Sequence, residues 1–212
     1  MPTLVLATRN AGKVRELAAM LADLPITVRS LAEFPTSPEV EEDADCFAGN
    51  ALKKALAAAA ATGLPALADD SGLVVEALDG APGLYSARYG GPGLDDAGRC
   101  GHLLAQLAAR GVTASPAHFV CAMALALPDG ASHVRQASWM GRVTGPPRGE
   151  RGFGYDPIFE PADAETADGE TPDGRGTAAE LSAADKQRLS HRGQALAQVV
   201  ELLRERPGLL GA

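Results

Sequence analysis

The sequence predicts an α/β fold, on two observations. A short apolar run at residues 3–7 leads through a polar turn into Val14, Leu17, Ala18 and Leu21, an apolar stripe at helical spacing. Further apolar runs of strand length, at 66–68, 73–78, 117–127 and 132–143, are interleaved with segments of helical period. At 212 residues, with 46% hydrophobic and 22% charged side chains, the chain suits one globular domain over 1–212 rather than a disordered segment. Only 4% of residues are aromatic, so Ala, Leu and Val must supply most of the core.

In order, the opening strand and helix are followed by a second strand near 26–30 and an extended acidic stretch at 35–45. A helix over 50–62 is closed by Gly63 and Pro65. The strand at 66–68 is expected to break at Asp69-Asp70-Ser71-Gly72 and to resume over 73–78. Residues 80–93 form a glycine-rich loop containing Tyr85 and Arg88. A helix over 95–110 carries Leu103, Leu104 and Leu107 on one side. The runs 117–127 and 132–143 pair through the turn at Pro128-Asp129-Gly130. A second glycine-rich segment covers 149–156. The acidic stretch 162–176, interrupted by Gly and Pro, reads as a mobile surface insertion. The last helix, 191–206, has Leu196, Val199, Val200 and Leu203 at core spacing.

Composition excludes several function classes. A net charge of -8 argues against a nucleic-acid backbone as partner, since that needs clustered Lys and Arg, but it leaves room for a local basic pocket and a small anion. Cys46, Cys100 and Cys121 have neither disulfide-framework nor zinc-site spacing, and they suit a reducing compartment. The N-terminal apolar run is too short for a signal peptide, and no stretch reaches the ~18 apolar residues of a membrane span.

Four constellations carry chemistry. Thr8, Arg9, Asn10, Ala11, Gly12 and Lys13 sit where a strand meets a helix, a place that offers backbone N–H groups and the positive end of the helix dipole to a phosphate. The pattern is not a P-loop, and the turn taken alone reads first as an ordinary N-cap turn. Asp69 and Asp70 leave an apolar strand, which is costly unless a metal or a basic group balances them. Magnesium suits such a site, with Glu41, Glu42, Asp43 and Asp45 as a second source of carboxylates; a solvated loop is the alternative for that cluster. Either Lys53 or Lys54 can reach phosphate, and periodicity does not choose between them. Phe153-Gly154-Tyr155-Asp156-Pro157 places two aromatics on a glycine-rich loop, where they can stack on a base or one can fill the core. Lys186, His191 and Arg192 add donors for a base carbonyl or a phosphate, or simply charge a helix N-terminus.

Taken in order, Thr8 to Lys13, Ala68-Asp69-Asp70-Ser71-Gly72, Pro82-Gly83-Leu84-Tyr85-Ser86-Ala87-Arg88-Tyr89, Phe153 to Phe159 and Ser190-His191-Arg192-Gly193 closely resemble the inosine/xanthosine triphosphate pyrophosphatase family, also called XTP/dITP diphosphatases. The resemblance implies an elongated mixed β-sheet with flanking helices, two lobes around a central nucleotide cleft, and a homodimer. It implies an Mg²⁺-dependent hydrolase that converts ITP, dITP and XTP to monophosphate and pyrophosphate; the reducing compartment suggested by the cysteines makes cytoplasmic the expected location. In such an enzyme Thr8, Arg9, Asn10, Ala11, Gly12, Lys13 and Lys54 would hold the triphosphate and Ser71 would contact substrate. Asp70 would be the general base and, with Glu41, a metal ligand. Phe153, Gly154, Tyr155, Asp156, Lys186, His191 and Arg192 would form the base pocket. At Gly49-Asn50-Ala51 the chain departs from the Glu-Asn-Ala common in the family, so it offers no carboxylate there.

Overall fold

A computed structural model describes residues 1–162 and 176–211. The predicted insertion therefore lies, apart from its two end residues, outside the described residues. The elements are β1 (Thr3–Leu6), α1 (Ala11–Leu21), β2 (Thr27–Ser30), α2 (Phe47–Thr62), β3 (Ala66–Val75), α3 (Asp96–Ala109), β4 (Ala114–Ala126), β5 (Ser132–Thr144), β6 (Phe159–Pro161), α4 (Ala183–Leu189) and α5 (His191–Glu205). Six strands form one sheet in the order β2-β1-β3-β4-β5-β6. The sheet is mixed: β1 is parallel to β2 and β3, and β6 is antiparallel to β5. The α/β class is therefore as the sequence predicts. No helix among the described residues is long and apolar enough to cross a membrane.

The chain divides into two compact units. The first comprises Met1–Asp70, Cys121–Ala137 and Arg192–Ala212. Strand alternation gives its part of the sheet two different faces. Leu4, Leu6, Leu67, Cys121, Met123 and Leu125 pack with Leu17 and Leu21 of α1 and with Leu196, Val199 and Leu203 of α5. Val5, Ala7, Ala66, Ala68, Ala122, Ala124 and Ala126 meet Ala51, Ala55, Ala58 and Ala59 of α2. Alanine on both sides lets α2 lie close to the strands, while the leucine face buries the larger apolar area and so contributes more of the hydrophobic stabilisation.

The second unit comprises Ser71–Val120 and Ser138–His191. Its core gathers Leu73, Val75, Leu103, Leu107, Phe119, Trp139, Tyr155, Ile158 and Phe159, so much of the scarce aromatic content is spent here. Phe119 and Phe159 meet edge to face with centroids 4.6 Å apart.

Four local expectations change. β3 is one strand of ten residues that passes through Asp69-Asp70-Ser71-Gly72 without a break, and it ends at Val75 in a 3₁₀ turn, Glu76–Leu78. α2 begins at Phe47 rather than at 50, because the preceding Cys46 is the N-cap and accepts the Gly49 N–H. Within the predicted 80–93 loop, Gly83–Arg88 is a 3₁₀ helix. Finally, β6 and α4 appear where no element is expected; both are too short to show a period in the sequence.

Candidate functional site

In the first unit the paired aspartates are buried within β3, at 4% and 9% exposure for Asp69 and Asp70. Successive side chains of a strand point to opposite faces. Leu67 marks the face of α1 and α5, and Asp69 follows it; Ala68 marks the face of α2, and Asp70 follows that. Adjacent carboxylates thus enter different surroundings.

Asp69 meets two cations. Its Oδ2 lies 2.8 Å from the Lys13 ammonium and 3.5 Å from Arg192 Nε. Arg192, 3% exposed, also places Nη1 3.0 Å from Glu16. Burial alone pushes the Asp69 carboxyl up, but Lys13 and Arg192 outweigh it and hold the group well below the usual carboxylate range.

Asp70 meets α2. Asn50 donates from Nδ2 to Asp70 Oδ2 at 3.1 Å, and the Lys54 ammonium stands 3.4 Å from Oδ1 and 2.6 Å from Glu42. Here burial dominates: with Glu42 it raises the Asp70 carboxyl above its ordinary value, against Lys54 and Asn50. Burial works against the Lys54 charge too, yet Asp70 and Glu42 more than offset it and raise that ammonium. A carboxylate whose pKa is raised is a stronger proton acceptor. Of the two lysines, Lys54 turns to the acids, while Lys53 pairs with Asp43 at the surface.

Asn50 is a site residue that the sequence reading does not single out. It is 2% exposed, and its Oδ1 accepts the Ala44 N–H at 3.0 Å while its Nδ2 holds Asp70. The available signal was its i, i+4 spacing to Lys54, which puts both on one face of α2. Gly49 beside it permits the close approach: a Cβ there would lie 2.8 Å from the Ala44 Cβ. The departure from Glu-Asn-Ala thus coincides with an acidic segment drawn against the first turn of α2. Asn50→Ala is expected to lower kcat roughly tenfold, the scale of a hydrogen bond lost to a charged group. It should also move the acid limb of the pH–rate profile upward, because a donor that favours ionised Asp70 is gone; an unmoved limb would refute the role.

The turn before α1 is already organised. Asn10 Oδ1 accepts the N–H groups of Gly12 and Lys13 at 2.9 and 3.2 Å, and Thr8 Oγ1 accepts that of Asn10 at 3.2 Å. Ala11 opens the helix. The N-cap reading of this turn is therefore realised, and the Asn10 side chain occupies the two amides that a phosphate would need. Arg9 donates from Nη2 to the Ser37 carbonyl at 2.9 Å, tying the turn to the acidic segment. Glu41 on that segment is exposed; the acid linked to Asp70 through Lys54 is its neighbour Glu42.

For a divalent cation, the chemistry of the donors is suitable. Asp70 and Glu42 converge on one ammonium, and all the donors are carboxylate oxygens, the ligands magnesium prefers. No group of three or more His, Cys, Asp or Glu is gathered among the described residues. A magnesium ion held by one or two carboxylates and completed by phosphate and water needs no more.

In the second unit Phe153 is 46% exposed, and the Lys186 ammonium sits 4.6 Å from its ring centroid. Asp156 is buried; its Oδ2 accepts from Phe153 N–H at 2.8 Å and from Lys186 at 2.5 Å. Tyr155 turns inward, 4% exposed, and donates its hydroxyl to the Ser86 carbonyl at 2.8 Å. Burial raises that phenol. Ser86 in turn accepts the Leu73 N–H and donates to the Gly83 carbonyl, so the Pro82–Tyr89 motif braces the core under this loop. Of the two loop aromatics, only Phe153 presents its ring outward. His191 is 6% exposed and lies parallel to Phe119 at 4.7 Å between centroids. Ser71 is partly exposed on β3. Arg192, expected beside His191, belongs to the first unit and is engaged by Glu16 and Asp69.

The chain is similar to known proteins over nearly its whole length. It is 48% identical over 207 residues to a dITP/XTP pyrophosphatase of Streptomyces avermitilis, covering 97% of this chain and 98% of that protein. It is 49% identical over 197 residues to a dITP/XTP pyrophosphatase of Geobacter sulfurreducens, covering 93% and 94%. Among solved structures, a HAM1 protein from Coxiella burnetii matches with a TM-score of 0.84 at 42% identity, over 97% of this chain and 100% of that one. The Ham1 family model matches residues 4–202, and the chain belongs to the Ham1 family.

Proposed function

We propose that this protein hydrolyses the non-standard purine nucleoside triphosphates ITP, dITP and XTP to the monophosphate and pyrophosphate. The observation that carries the reading is Asp70: a buried carboxylate, oriented by Asn50, kept basic by burial and set beside the Lys54 ammonium. Relatives at 48% and 49% identity bear the name dITP/XTP pyrophosphatase, which gives the substrate class.

Asp70 takes a proton from a water molecule, whose oxygen attacks the α-phosphorus; the α–β bridging bond breaks and pyrophosphate leaves with the electron pair. Lys13 and Lys54 offset charge on the phosphates, and Thr8, Arg9, Asn10, Ala11 and Gly12 form the turn that receives them. Ser71 contacts the substrate. Asp70 and Glu41, with Glu42 beside them, would hold Mg²⁺, which would supply charge neutralisation at the phosphate oxygens and leaving group. Phe153 stacks on the base, and Gly154, Tyr155, Asp156, Lys186 and His191 complete or brace base recognition, whereas Arg192 serves Asp69 and Glu16 instead. A carbonyl at the 6-position of hypoxanthine or xanthine accepts from such donors, whereas adenine presents an amino group and leaves a donor unpaired. We assign the enzyme to the cytoplasm as a homodimer, and sedimentation tests the latter.

A panel of nucleoside triphosphates with Mg²⁺, assayed separately for pyrophosphate and orthophosphate, decides the reading. Pyrophosphate from ITP, dITP and XTP well ahead of ATP is expected. Orthophosphate as product excludes α–β cleavage, a preference for a pyrimidine moves the substrate class, and no product at all leaves a nucleotide-binding protein.

A further inference from the structure

The segment from Phe153 to Asp156 owes its shape to a helix distant in sequence. Gly154 has φ +63°, in the left-handed region, and separates the outward Phe153 from the inward Tyr155. Its peptide groups are gripped by the first turns of α3. The Gly154 N–H donates to Asp96 Oδ2 at 2.7 Å, and the Gly154 carbonyl accepts from the Cys100 thiol at 3.3 Å. Asp96 and Cys100 stand four residues apart, on one face of the helix.

The grip is itself supported. Asp96 Oδ1 lies 2.6 Å from Arg99 Nη2, and Arg99 Nη1 donates to the Leu94 carbonyl at 2.6 Å. Burial works against the Asp96 charge, but the Gly154 N–H and Arg99 outweigh it and lower that carboxyl, so it remains an acceptor at neutral pH. Burial pushes the Cys100 thiol up to about 11, so the sulfur keeps the proton it donates.

We infer that Asp96 and Cys100 are positioning residues for base recognition: by holding both ends of Gly154 they fix where the Phe153 ring and the Asp156–Lys186 pair are presented. Neither touches the base; each acts through the Gly154 backbone. A left-handed glycine without its two anchors has a wide range of accessible backbone conformations, and ordering it on binding raises the cost of binding. The loss therefore falls on KM and spares the chemical step at Asp70.

This inference rests on the proposed function, and the test separates the two. Steady-state kinetics with ITP and Mg²⁺ are compared for the parent protein, D96A and D96N. D96A is expected to raise KM roughly tenfold with kcat within about twofold, and D96N, which keeps an acceptor oxygen for Gly154, to return KM toward the parent. A general loss of structure would not be rescued in this way. If D96A fails to fold, C100A and C100S take its place: C100A should raise KM, and C100S, which restores a hydroxyl donor, should lower it again. Unchanged KM in D96A, or in C100A where that pair decides, overturns the clamp while the parent enzyme remains active; so does a fall confined to kcat. Absence of pyrophosphate from the parent protein overturns the proposed function, and the role assigned to the clamp falls with it.

Discussion

Asp70→Asn is expected to lower kcat for ITP by roughly 10²–10⁴-fold, the range of a positioned general base, while nucleotide binding persists. The amide keeps the shape of the carboxylate and its contact with Asn50, but it cannot take the proton from water. In the parent enzyme kcat/KM should fall as pH drops into the acid range, because only ionised Asp70 is a base and burial raises that carboxyl above its ordinary value. The same substitution should not lower the melting temperature near neutral pH. The sign follows from linkage: a folded pKa above the unfolded one means that Asp70 favours the folded state at low pH, and that this contribution is lost as pH rises through the folded value. Removing its charge therefore relieves a cost. Near-parental turnover in this variant would remove Asp70 as the base.

Asp69→Ala is expected to do the reverse, unfolding the protein more than it impairs proton transfer. Asp69 is 4% exposed and faces Lys13 and Arg192, and Arg192 is 3% exposed. Removing one partner of a buried ion pair costs ~3–5 kcal/mol, because the opposite charge is left without compensation. For a chain of this length that corresponds to a fall of roughly 6–20 °C in melting temperature. The pH dependence has a definite sign. The folded pKa of Asp69 is depressed, so its contribution is complete above the unfolded value, ~3.9, and is lost as pH falls through that value toward the folded one. The gap between parent and variant should therefore be widest near neutrality and close in acid. Calorimetry across pH measures it, and equal melting temperatures at pH 7 would show that Asp69 is not the hub of this network.

These two variants separate neighbours that are indistinguishable in the linear sequence. Alternation along β3 sends Asp69 toward α1 and α5, where two cations hold it charged, and sends Asp70 toward α2, where burial keeps it basic. The expected break at Asp69-Asp70 was a sound inference from local polarity, since two carboxylates in an apolar strand are costly without partners. The partners come from Lys13, Arg192, Asn50 and Lys54, which local sequence does not place beside them.

The apolar periods of α1, α3 and α5, the strand at 3–6 and the hairpin at Pro128-Asp129-Gly130 were all legible because each depends on residues close in sequence. So were the N-cap turn at Thr8 to Lys13 and the family resemblance, which rests on the order of short motifs. Burial and long-range pairing decided the rest. They turned Tyr155 into the core and left Phe153 outside, and they put Arg192 with Glu16 and Asp69. They also chose Lys54 over Lys53 and brought Asn50 onto Asp70. Each of these depends on which charges and donors meet in a medium of low dielectric, where an unpaired group is expensive and a pKa follows its neighbours. Residue types and spacing determined that this chain has carboxylates, lysines and a glycine loop in a recognisable order; only folding determined which carboxylate is raised by burial beside α2 and which is a buried counter-ion.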